Sequence, residues 1–141
     1  REGESLRCLL LKRIESIQSI VDSIRSKMPA IITKQKENLL LRLEELKAEF
    51  ELTRLEQEIA ILAQKADVDE ELDRLDSHLQ EVKRVIDSDG QIGRRLDFLM
   101  QELNREANTL SSKSIVVETT QGAVELKVLI EQMREQIQNI E

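Results

Sequence analysis

Aromatic residues are nearly absent from this chain, which has two Phe and no Trp or Tyr in 141 residues. Strands favour aromatic and β-branched residues and need turn residues at short intervals, so a β-sandwich or barrel is excluded. Helix breakers are as scarce, at one Pro and four Gly. The single cysteine, Cys8, rules out a disulfide framework or a cysteine zinc site and fits a reducing compartment. No apolar run approaches the ~20 residues of a membrane-spanning helix. Basic residues are outnumbered, 21 against 28 acidic, for a net charge of −7. That balance argues against a binder driven mainly by nucleic-acid phosphates, while leaving room for a local basic patch. The sequence has no Gly-rich phosphate loop, no HExxH and no Ser/His/Asp or Cys/His arrangement. Without aromatics among its basic residues, it cannot recognise bases by stacking.

What the chain has is charge and regularly spaced Leu and Ile, at 35% charged and 40% hydrophobic residues. Regular spacing argues against disorder and for long helices with narrow apolar stripes. Leu10, Ile14, Ile17, Val21, Ile24 and Met28 advance by alternating steps of 4 and 3, a heptad seam. Pro29 then predicts a kink or short turn. Leu39, Leu43, Leu46 and Phe50 repeat the pattern, but the next apolar set, Leu52, Leu55, Ile59 and Leu62, is out of phase. Near residues 50–53 the helix is therefore expected to bend or to change partner.

Asp67 and Glu70 read as a capping box opening a new helix. That helix carries Val68, Leu72, Leu75, Leu79, Val82 and Ile86, and Ser88-Asp89-Gly90 closes it. A further stripe follows through Ile92, Leu96, Leu99, Leu103, Ala107 and Leu110. After a polar break at 111–114, a last helix starts near Thr119 with Leu126, Ile130, Met133, Ile137 and Ile140. The expected class is all-α, with four to five helices. Residues 1–66 would form a long helical arm, a coiled-coil region or a hairpin folding at Pro29. Residues 67–141 would form an antiparallel helical bundle. A chain beginning at Arg1 reads as part of a longer protein, whose other part or another subunit would cover the remaining apolar faces.

Two polar stripes could carry chemistry. Glu71, Arg74 and His78, spaced 3 and 4, share one helix face and could hold a metal or move a proton. Glu102, Glu106, Thr109 and Lys113, spaced 4, 3 and 4, form the second, with Asn104, Arg105 and Asn108 beside it. Two carboxylates one turn apart suit a hard divalent cation acting on a phosphodiester. Lys83, Arg84, Arg94 and Arg95 flank the 88–90 turn and could grip phosphates. On spacing alone, the more ordinary reading of each set is a solvated charged surface.

Three long strings resemble the YicC family. They are 54–78 (RLEQEIAILAQKADVDEELDRLDSH), 93–113 (GRRLDFLMQELNREANTLSSK) and the tail 124–141 (VELKVLIEQMREQIQNIE). The resemblance covers essentially residues 50–141, and both polar stripes fall inside it. It implies a cytoplasmic bacterial endoribonuclease that depends on a divalent cation (Mg or Mn), assembles as a ring-like homo-oligomer such as a hexamer, and has an N-terminal domain lacking here. Within that framework, Glu102 and Glu106 are the expected metal ligands, and His78, Glu71 and Arg105 the expected catalytic set. Arg74, Arg94, Arg95, Asn104, Asn108 and Lys113 are expected to bind RNA, through its backbone and shape. The competing expectation is a non-catalytic helical module for oligomerisation or RNA scaffolding.

Overall fold

A computed structural model describes residues 2–46, 51–88, 92–113 and 117–139. Among the described residues there are four helices and no strand: α1 (Glu2–Leu46), α2 (Glu51–Ile86), α3 (Gly93–Lys113) and α4 (Val117–Gln138). Each helix packs against two neighbours in the cyclic order α1–α2–α3–α4, and among the described residues the diagonal pairs make no close backbone approach. Pairs such as Arg7–Asp87 and Arg25–Asp73 run α1 antiparallel to α2, and Glu81–Arg95 and Glu71–Lys113 do the same for α2 and α3. The result is an up-down-up-down four-helix bundle.

The heptad residues form the core. Leu10, Ile14, Ile17, Val21, Ile24, Met28 and Ile32 of α1 join Val68 to Ile86 of α2 and the α3 and α4 stripes in one buried cluster. At 1.5 Å per residue, α3 and α4 are about 30 Å long, roughly half the length of α1. The distal parts of α1 and α2 therefore project beyond the bundle as a two-helix hairpin. The core takes residues 10–32 as well as 68–137, and α2 runs unbroken through the expected boundary at 66/67.

Three local expectations are corrected. Pro29 makes neither a turn nor a hairpin; it lies inside α1. Proline leaves the Arg25 carbonyl without its usual helical donor, yet Met28 and Ile32 are buried on either side, so packing outweighs the local penalty. α1 ends at Leu46 and α2, from Glu51, runs back antiparallel to it, so the two stripes of different phase belong to two helices. The Asp67–Glu70 capping box opens no helix, because Val68 is fully buried and Lys65 pairs with Asp69 at 2.7 Å across the same turn. Ile140, Phe50 and Asp89-Gly90 lie outside the described residues.

Two contacts fix the frame around α2. Arg25 of α1 reaches Asp76 at 2.7 Å and Asp73 at 2.8 Å, and Gln18 donates to Asp76 at 2.6 Å. At the far end of α2, Ser88 Oγ donates to the Val85 carbonyl at 2.7 Å, satisfying one of the last-turn acceptors. Cys8 is exposed. No helix among the described residues is long and apolar enough to cross a membrane.

Candidate active site

Side chains three and four residues apart stack on one helix face. On α2 this aligns Glu71, Arg74, His78 and Glu81 just beside the buried Leu72, Leu75, Leu79 and Val82. On α3 it aligns Arg95, Glu102, Glu106 and Lys113. Because the two helices are antiparallel neighbours, these lines face each other along one seam. Arg95 meets Glu81 at 2.7 Å, His78 meets Glu106 at 2.7 Å, and Lys113 lies 3.8 Å from Glu71.

The middle of the seam is the most unusual. Glu106 is 1% exposed. Its Oε1 lies 2.7 Å from His78 Nδ1, a hydrogen bond that the ionised carboxylate accepts from Nδ1–H, while among the described residues its Oε2 is buried without a partner. Burial pushes the Glu106 carboxyl above its usual range, and the His78 hydrogen bond and charge only partly oppose this. Glu102, one turn away, is partly exposed and accepts from Arg105 at 3.0 Å. That hydrogen bond leads in raising the Arg105 pKa, with Glu106 and Glu71 adding to the field.

One donor atom from each of His78, Glu102 and Glu106 lies within 4.8 Å of the others. Two carboxylates and an imidazole are a mixed O/O/N set that suits a divalent cation such as manganese, and the orphaned Glu106 Oε2 is an oxygen still lacking a positive partner. The residues present therefore fit such an ion. His78 also opens onto a surface groove of about 490 Å³ shared with Arg74, Glu70 and Ser77.

At one end of the seam, Glu71 is also buried, at 3% exposure. Its Oε1 accepts from Arg74 at 3.4 Å and lies near Lys113. At the other end, Glu81 takes both Arg84 and Arg95. Glu81 was not among the expected site residues, although its position three residues after His78 on the same line is legible in the sequence.

Not every expected residue comes to the seam. Asn104 and Asn108 are exposed. At about 100° per residue, Asn104 sits roughly 200° around α3 from Glu102, so adjacency in sequence did not mean adjacency in space. Arg94 lines a different groove, with Asp97, Ile137 and Gln138, on the α4 side. The four basic residues at the 88–90 end are therefore not one grip. Arg84 and Arg95 are tied to Glu81, and Arg94 lines the other groove.

A family model described as "Endoribonuclease YicC-like, C-terminal" matches residues 24–141. The chain belongs to this family. Among similar proteins, "Probable endoribonuclease YicC" of Haemophilus influenzae is 54% identical over 141 residues, covering all of this chain and 49% of that protein. The "Probable endoribonuclease YicC" of Clostridioides difficile is 39% identical over 143 residues, covering 99% of the chain and 49% of that protein. This YicC-like chain thus spans about half the length of these relatives. The matched region contains both facing lines of the seam.

Proposed function

We propose that this YicC-like chain supplies the helical part of a divalent-metal-dependent endoribonuclease. The observation that carries this reading is the pairing of the partly exposed His78 with the buried Glu106, with Glu102 beside it, in a chain whose relatives are named probable endoribonucleases. Glu102 and Glu106 would hold the cation, with His78 as a further ligand or as its neighbour. When bound, the cation would neutralise charge building up on a phosphodiester oxygen.

The remaining work falls to side chains. His78 can hold a proton on Nδ1 against Glu106, or yield that position to a cation, and its groove side is open to a substrate. Arg105, tied to Glu102 but largely exposed, is the cation nearest the cluster and suits charge stabilisation at a cleaved linkage. Arg74 and Lys113 would take neighbouring phosphates. Among the described residues Phe98 is the one aromatic, at 59% exposure, so RNA would be held mainly by backbone and shape. The whole enzyme in this reading is cytoplasmic, homo-oligomeric and completed by a further N-terminal domain.

The test is RNA cleavage by the whole protein with His78→Ala, Glu102→Ala or Glu106→Ala, at confirmed oligomeric state. Losses of about 100-fold or more are expected, in line with the removal of a general acid–base group. Wild-type rates in all three would contradict this assignment.

A second reading, assembly without catalysis, is favoured by a separate observation. Leu52, Leu55, Ile59 and Leu62 on the distal hairpin are 47–69% exposed. Their 3-4-3 spacing reads the same in both directions, so a second copy laid antiparallel would match it residue for residue. Leu55→Glu with Ile59→Glu should then lower the mass measured by light scattering. An unchanged mass would remove this stripe from the assembly.

A further inference from the structure

Glu71 was expected to be catalytic, but its surroundings give it a different task. Its carboxylate is 3% exposed and lies under two long cationic side chains. Arg74 Nη1 donates to Oε1 at 3.4 Å, and Lys113 Nζ is 3.8 Å from the same oxygen. The two cations come from different helices and are 45% and 36% exposed; Arg74 Nη2 is also held at 2.5 Å by the exposed Glu70, while Glu71 is the acid both cations share. A carboxylate so covered cannot reach a substrate proton. A buried anion flanked by half-exposed cations can instead fix two flexible side chains at one point on the surface, reducing the entropy they would lose on meeting an anion.

Along α2, Glu71 is two turns from His78, about 10.5 Å at 1.5 Å per residue. Stacked nucleotides rise ~3.4 Å each along a strand, so that distance is about three nucleotides. Arg74 bridges the two places, since it lines the groove that His78 opens onto.

We propose that Glu71 is a positioning residue, a buried anion that aims Arg74 and Lys113 at a non-scissile phosphate about three nucleotides from the linkage held at the His78–Glu102–Glu106 cluster. This rests on the phosphodiester reading of the seam. It gives the site a direction, because the opposite end ties its arginines to the partly exposed Glu81, whereas this end adds a buried acid beneath Arg74 and Lys113 to the exposed Glu70.

The experiment compares wild type, Glu71→Gln and Glu71→Asp in the whole protein. Three quantities are read: the order of the Arg74 Nε–H by NMR relaxation, Mn²⁺ affinity by electron paramagnetic resonance, and affinity for a labelled single-stranded RNA at two salt concentrations. Glu71→Gln should loosen Arg74, leave Mn²⁺ affinity within about twofold, and weaken RNA binding several-fold. It should also flatten the salt dependence by about 0.7–1.4 in slope, the contribution of one or two phosphates on a single strand. Glu71→Asp should recover part of each effect. Tighter RNA binding in Glu71→Gln would overturn the proposal, since the acid would then compete with phosphate instead of aiming cations at it. An unchanged Arg74, or a large loss of Mn²⁺, would also overturn it. A wild-type protein that binds no RNA would defeat the functional reading and this proposal with it, an outcome separate from a wild type that binds while the variant binds equally well.

Discussion

His78 and Glu106 are 28 residues apart in sequence and meet at 2.7 Å across the α2–α3 seam, with the second Glu106 oxygen buried and, among the described residues, unpartnered. A carboxylate in this setting costs free energy when it is charged, unless a cation comes to it. That cost can be measured without knowing any substrate.

Burial raises the Glu106 pKa, so between its unfolded and folded values the folded chain holds a proton that the unfolded chain has released. The stability this contributes is full below the ordinary carboxylate range and is lost as pH rises through the folded value. Glu106→Gln cannot ionise. In chelator-treated protein, the urea-derived stability of Glu106→Gln relative to wild type should therefore rise from pH 4 to pH 7. A difference that stays flat or falls with pH would mean that Glu106 is not desolvated.

Pro29 provides a test on the other side of the molecule. It is exposed within α1 and denies the Arg25 carbonyl a hydrogen bond. An interior proline costs a helix about 3 kcal/mol, partly offset by the roughly 0.4–1 kcal/mol it gains by restricting the unfolded chain. Pro29→Ala should stabilise the protein by about 1–3 kcal/mol in denaturant melts, with helicity unchanged by circular dichroism. A loss of stability would show that the bundle needs a bend at this residue.

Gly122 sets the approach of α4 to α1. A Cβ there would lie 2.8 Å from Ile24 Cδ1, the far end of a flexible side chain. Gly122→Ala gains about 1 kcal/mol in helix propensity. Against this stands a rotamer shift at Ile24 of about 0.5–1.5 kcal/mol. The variant should melt within a few degrees of wild type. Gly122→Leu has no such escape and should cost about 1–3 kcal/mol through overpacking. Equal stability of the two variants would contradict this packing.

The bundle was legible in the sequence because burial repeats. Every stripe residue from Leu10 to Met28, and from Val68 to Ile86, is in the core. Local signals misled where tertiary packing overrode them, as at Pro29 and at the Asp67–Glu70 box. The phase change near residue 50 held the right information, but a stripe that shifts looks the same whether the helix bends or the chain turns back. The seam was half legible. Spacing placed Glu71, Arg74 and His78 on one face and Glu102, Glu106 and Lys113 on another, and the antiparallel pairing of α2 and α3 made the faces meet. Asn104, Asn108 and Arg94 were grouped with them by proximity along the chain, which a helix does not respect. The burial of Glu71 and Glu106 could not be read from spacing, since it depends on how closely two helices approach.

In the proposed site, His78, Glu102 and Glu106 jointly hold one divalent cation. Mn²⁺ titration followed by electron paramagnetic resonance tests it most directly, on wild type and the three single alanine variants. One bound ion per chain is expected, with affinity falling about 10-fold or more in each variant, as the loss of a ligand or its hydrogen-bonded support would cause. No bound ion in wild type, or equal binding in all four proteins, would contradict it.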